Sequence, residues 1–179
     1  MDWFYVIAAV VVVALLALWL SWTANRLDRM HHRIDVSRAS LDTQLLRRSG
    51  AALELATSGA LDPARSLLLV DVAHEARAAP RQEFEGAESD LSEALRAVFA
   101  DAAEVRTLRD APDTAALLAE LAGASRKVEL ARRFHNDVVV SARVLRSRRR
   151  VRWLRLAGRA HELDTVDLDD EPPAALVAD

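Results

Sequence analysis

No cysteine occurs anywhere in the 179 residues. Disulfides, thiolate metal sites and thiol nucleophiles are therefore excluded, and redox chemistry says nothing of the compartment. Glycine and proline are scarce, five of each. Gly50, Gly59, Gly86, Gly123 and Gly158 stand singly, so no glycine-rich loop can cradle a phosphate. Ser49, Ser58 and Ser66 lie in no nucleophile elbow and have no paired His and Asp. Five histidines are present, but His31 and His32 are adjacent, about 100° apart on a helix, and His74, His135 and His161 fall on other segments. No metal-binding spacing results. Lysine is almost absent, Lys127 being one among 24 basic residues. These absences predict a chain with no cofactor, no metal and no enzymatic activity.

What is present begins with Trp3 to Leu20, eighteen consecutive apolar residues without a charge, proline or glycine. A helix rises about 1.5 Å per residue, so roughly 20 residues cross a hydrocarbon core of about 30 Å, and Ser21 and Trp22 complete that length. Trp3 and Tyr5 at one end, with Trp19 and Trp22 at the other, fall where amphipathic rings prefer the two membrane interfaces. A cleaved signal peptide would want a basic start and a shorter apolar core; Met1-Asp2 offers no basic residue. The expectation is a retained transmembrane anchor over residues 1–22. Arg26, Arg29, Arg33 and Arg38 follow the run and no base precedes it, which places the N-terminus outside and the remainder in the cytoplasm, on the cell membrane.

The net charge of −3 conceals an asymmetry. Residues 143–159 carry eight arginines and no acid, whereas residues 162–179 carry seven acids and no base, leaving the rest of the chain at +4. Ala, Leu, Arg and Glu dominate between these extremes and favour helix.

From Thr23 to about Ser58 nothing breaks a helix, and Leu27, Met30, Ile34, Ser37, Leu41, Gln44, Arg48, Ala52 and Leu55 form a seam at spacings of 3 and 4. Gly59 is a stop signal, Asp62-Pro63 a start, and Pro80 closes a second helix. Ser89 is the expected cap of a third, with Leu91, Leu95, Val98, Ala102 and Val105 on one face, ending near Pro112. Asp113 is the expected cap of a fourth, whose seam runs from Leu117 through Leu121, Ala124, Val128, Ala131, His135, Val138 and Ala142 to Leu145, continuing to about Ala157. The fold class expected is all-α: an N-terminal transmembrane helix, then an antiparallel four-helix bundle of long helices over residues 23–158. Residues 159–179, acidic and aperiodic with a Pro-Pro pair, are expected to be disordered.

Three words of this sequence carry a resemblance: Asn25-Arg26-Leu27 past the apolar run, Leu41-Asp42-Thr43-Gln44-Leu45-Leu46-Arg47-Arg48, and Ala131-Arg132-Arg133-Phe134-His135-Asn136-Asp137-Val138-Val139. Together they resemble the LemA family, proteins with one N-terminal membrane segment and a long helical bundle. That family usually has Tyr-Asn where His135-Asn136 stands, Pro-Asn-Leu where Gly50-Ala51-Ala52 stands, and a second Tyr-Asn where Ala142-Arg143 stands. The resemblance implies an anchored bundle and brings no established activity.

Two sets of residues are candidate sites. Gln44 lies 22 residues after Trp22, and Asn136 lies 22 before Gly158. A straight first and last helix would set Gln44 and Arg48 against His135 and Asn136 in a polar layer that fixes register. The opposing reading turns Leu45 and Ala52 inward and lets Arg48 reach water. The second set is Arg146, Arg148, Arg149, Arg150, Arg152, Trp153 and Arg155. It fits a solvated helix face, a patch for anionic lipid at about 1 kcal/mol per arginine, or a nucleic-acid surface, for which no recognised fold or interleaved aromatics argue. Its acidic neighbour could shield it.

The function expected is a membrane-anchored helical scaffold or interaction module, in contact with lipid and with protein partners, homo-oligomers included. The alternatives are a subunit of a larger membrane complex, packed through Ala8, Ala9, Ala14 and Ala17, and a membrane-tethered nucleic-acid binder.

Overall fold

The computed structural model describes residues 2–147 and 164–178; within its helices the side chains of Asp2, Leu16, Leu20, residues 23–28 and residues 145–147 lie outside that description. All regular structure among the described residues is helical: α1 Asp2–Thr57, α2 Pro63–Ala78, α3 Phe84–Val98, α4 Ala102–Asp110, α5 Pro112–Ser147 and a single turn, α6, Ala174–Val177. The chain divides into two compact units, Met1–Val36 with Asp137–Asp164, and Ser37–Asn136 with Thr165–Asp179.

The first unit holds the start of α1 and the end of α5. The apolar run is helical throughout, and its described large side chains, from Trp3 to Trp22, lie exposed. Among the described residues, no helix is long and apolar enough to cross a membrane. Leu16 and Leu20, both inside the run, are among the side chains not described. On α5, Val139 and Ala142 are buried, and Arg143 lies 3.8 Å from Asp164.

The second unit is built by short-range signals acting in sequence. Gly59 adopts φ +81, the left-handed stop that a side chain would strain. Three residues on, the Asp62 carboxylate accepts from the N–H groups of Ala64 and Arg65, with Pro63 opening α2. Beyond Pro80, α3 starts at Phe84, five residues before the expected Ser89 cap. Instead of capping, the Ser89 hydroxyl donates to the Glu85 carbonyl at 2.6 Å.

The expected third helix is two helices. Val98 ends α3, Phe99 is buried, and the Asp101 carboxylate accepts from the Ala103 N–H at 2.8 Å to start α4. The apolar period across Val98, Ala102 and Val105 conceals this break, because both sides contribute to one core. Pro112 opens α5 and Thr114 donates to the Leu108 carbonyl, so Asp113 stands within the first turn instead of capping it.

Leu55, Leu69, Leu91, Leu95, Phe99, Val105, Leu118 and Leu121 form the main core, each essentially inaccessible to water. Each such side chain contributes about 1.5–3 kcal/mol of burial free energy. The Arg47–Glu120 and Ser37–His135 contacts, at 2.7 and 2.9 Å, show α1 and α5 running antiparallel within this unit.

The acidic tail is not loose: Val166, Leu168 and Leu176 are buried, and α6 packs on α4. This corrects the expected disorder for residues 164–178. Val166 and Leu168 join Leu41, Leu45 and Val128 in a second cluster, while Leu176 completes the first. High acidity argues for disorder only where no base answers it, and here arginines do.

Candidate functional site

The tail lies in a cradle made by α1, α3 and α5 of the second unit. At its base is Arg48, 1 % exposed. Its Nη2 donates to the Glu88 carboxylate at 2.6 Å and to the Glu88 carbonyl at 3.0 Å, and its Nη1 donates to the Ser92 hydroxyl at 2.8 Å. A buried charge needs such partners, since unpaired it costs several kcal/mol. Burial pushes the Glu88 carboxyl above its usual range, and the Arg48 charge pulls it partly back.

The helical repeat then delivers the rest. Glu85, Ser89, Ser92 and Arg96 follow one another along one face of α3, at spacings of 3 and 4. Ser92 donates to the Asp169 carbonyl at 2.6 Å, and Ser89 accepts from the Asp169 N–H at 3.0 Å. Two serine hydroxyls thus satisfy both backbone groups of one tail residue. On α5, Asn136 does the same for Val166: its Nδ2 donates to the Val166 carbonyl at 2.9 Å, and its Oδ1 accepts from the Val166 N–H at 2.8 Å. Glu85 accepts from the Asp167 N–H at 3.1 Å.

Tail side chains alternate as on a strand. Val166, Leu168 and Asp170 are buried, whereas Asp167, Asp169 and Glu171 are exposed. The two apolar residues fill the slot formed by Leu41, Leu45, Val128, Phe84 and Ala131. Arg38 stacks over the Phe84 ring at 4.5 Å. Arg132 grips Asp170 through two nitrogens, at 2.5 and 2.9 Å. Arg96 does likewise with Asp169 and also donates to the Glu171 carbonyl at 3.0 Å. The Arg96 hydrogen bond is the main reason the Asp169 carboxyl sits below the ordinary aspartate value. Further along, Arg109 donates to the Ala178 carbonyl at 3.0 Å and Arg126 to that of Val177.

The structure does not bring the four residues of the expected polar layer together. Arg48 turns to α3. Asn136 turns to the tail. His135, 2 % exposed, accepts or donates through Nδ1 to the Ser37 hydroxyl. Gln44 has its Oε1 buried with no hydrogen-bond partner among the described residues. His135 therefore pairs with α1 eight residues, or about two turns, nearer its N-terminus than counting from Trp22 and Gly158 predicts. Each reading of Arg48 holds in part: Leu45 and Ala52 are buried, as the opposing reading has them, but Arg48 faces inward without reaching water, and its partner is Glu88, not His135. The register is set from the other end of the helices, where Leu55 and Leu118 share the main core.

Trp3, Tyr5, Trp19 and Trp22 all lie on α1 with exposed rings. Of the arginine set, Arg146 is on α5 but its side chain is outside the described residues, as are Arg148, Arg149, Arg150, Arg152, Trp153 and Arg155. Among the described residues, no three His, Asp or Glu side chains converge to hold a metal ion.

The site residues that sequence reasoning missed are the tail's own and the α3 face that receives them. A signal for the first was available: Val166-Asp167-Leu168-Asp169 alternates apolar and polar with period 2, and the acid content masked it. Glu88 gave no signal, since residues 81–88, between Pro80 and the expected Ser89 cap, read as a polar link whose carboxylates are ordinarily solvated.

No family model, curated protein or solved structure matches this chain in comparisons with known proteins.

Proposed function

We propose that this chain is a single-pass membrane protein whose N-terminal run is held in lipid and whose helical domain serves as an interaction module. The observation that carries the reading is the surface of α1. Trp3, Phe4, Val6, Ile7, Val10, Val11, Val12, Val13, Leu15 and Leu18 are each about half exposed or more, and together they go all round the helix. Leaving each in water forgoes about 1.5–3 kcal/mol. A helix that is apolar on every side calls for an apolar surrounding on every side, which a bilayer supplies and a single partner face does not. Four arginines between positions 26 and 38, with none before the run, favour the cytoplasmic side for the domain. The eight arginines of residues 143–159 would add affinity for anionic headgroups, at about 1 kcal/mol each near the surface.

The helical domain is read as a binding module and not a catalyst because its built polar site, the tail cradle, grips peptide backbone and carboxylates. A photo-crosslinker at Val11 in native membranes tests the anchor. Adducts with lipid are expected. Adducts confined to other integral proteins would favour a subunit of a larger complex, and adducts with the chain's own helical domain would overturn the reading.

A further inference from the structure

We infer that the cradle formed by Arg48, Ser89, Ser92, Arg96, Arg132 and Asn136 is a recognition site for an extended acidic segment of a partner protein, with the chain's own tail as resident occupant. The inference builds on the reading of the helical domain as an interaction module and is independent of its anchorage in lipid.

Three features of the cradle point beyond a tail that merely folds back. First, it binds backbone. Asn136 takes both the N–H and the carbonyl of Val166, and Ser89 with Ser92 take both from Asp169. Helix side chains here do what a neighbouring strand does in β-augmentation, giving affinity to any extended chain. Second, specificity sits in alternate positions. An apolar slot receives Val166 and Leu168, and two arginines take the adjacent carboxylates of Asp169 and Asp170 in two-pronged pairs. The pattern selected is apolar, acid, apolar, acid, acid. Third, every one of these contacts is made within residues 166–171, so a segment with that pattern on another chain meets the same groups. The contacts do not require that occupant and cradle belong to one molecule.

A buried arginine at the base supports this use. Arg48 donates to the Ser92 hydroxyl, whose own proton has two carbonyls in reach, that of Asp169 at 2.6 Å and that of Glu88 at 3.1 Å. The Arg48–Glu88 pair thus abuts a hydroxyl that faces the occupant, the Asp169 carbonyl being the nearer of its two acceptors.

Competition follows. The resident tail lowers the apparent affinity for an incoming segment by the fraction of time the cradle is filled. The probe is a synthetic, fluorophore-labelled peptide of residues 164–178, added to the full chain in detergent, without lipid. Leu168→Asp in the chain's own tail weakens the resident, and peptide affinity is expected to rise at least tenfold over the unmodified chain. Adding Asn136→Leu in the same chain is expected to cut peptide binding at least tenfold again. A peptide of the same composition in scrambled order is expected to bind at least tenfold more weakly. Equal binding of the scrambled peptide, or no binding to a folded Leu168→Asp chain, would overturn the proposal.

A tail that keeps Leu168 gives a second route that does not depend on the folding of that variant. The absence of cysteine lets a single Asp167→Cys carry an environment-sensitive dye at an exposed position. Excess peptide is expected to shift its emission toward that of the free tail, and an emission unchanged at millimolar peptide would contradict exchange. Self-association of the unmodified chain that Leu168→Asp abolishes would assign the cradle to a second copy and overturn the partner reading. Crosslinking from Val11 reports on the anchor alone, so the two readings fail separately.

Discussion

At the scale of single residues, Arg48 shows how a seam position is filled by something other than a leucine. Its long apolar stem suits the interior, and its guanidinium finds Glu88 and Ser92 at hydrogen-bond distance. Removing either charged partner strands the other. Arg48→Met alone, or Glu88→Ala alone, is expected to cost about 3–5 kcal/mol in chemical denaturation, whereas Arg48→Met with Glu88→Leu should recover most of that loss. Equal and additive losses would mean that the pair is not coupled. Protonation adds a sign. The Glu88 carboxyl is pushed above its ordinary value of 4.5, so this group favours the folded state most at low pH and loses that contribution as pH rises through its folded value. Asp169 acts the other way. Its folded value lies below 3.8, held there chiefly by Arg96, so its stabilisation is complete above 3.8 and is lost as pH falls through the depressed value. A dye on Asp167→Cys should therefore report tail release on acidification below about 3.8. Asp169→Asn should flatten that response.

At the scale of elements, the local punctuation was legible and the long-range pairing was not. Gly59, Asp62-Pro63 and Pro80 can be read directly, because a left-handed turn, a cap and a missing N–H act within a few residues. Asp101 offers the same chemistry, yet the apolar period running through Val98, Ala102 and Val105 hid the break it makes. Asp101→Ala is expected to destabilise by about 1 kcal/mol, the usual cost of losing an N-cap, measured as a lowered melting temperature with α4 the first segment to exchange its amides. The positions of His135 and Asn136 on α5 were legible as special. Their partners were not, because a seam identifies an inward face without identifying what lies opposite. The tail went unread for a related reason: its burial depends on Arg96, Arg132 and Asn136, which are distant in sequence and indistinguishable there from other surface residues.

At the scale of the whole molecule, composition sorted the chain into an apolar run, a helical domain and an acidic end, and the structure changes what the last of these does. Its acids are committed in part to Arg96 and Arg132 of the helical domain. Shielding of residues 146–155 is therefore not the only role open to them. The all-α class was readable because Gly and Pro are few and Ala, Leu, Arg and Glu abound, and the exposed apolar run of α1 is the feature that neither core cluster absorbs. The measurement that bears most directly on this account is extraction of native membranes with alkaline carbonate. Full chain retained in the pellet, together with its release when Val11→Arg and Val12→Arg are introduced, is the expected result. Full chain recovered in the carbonate supernatant would contradict it.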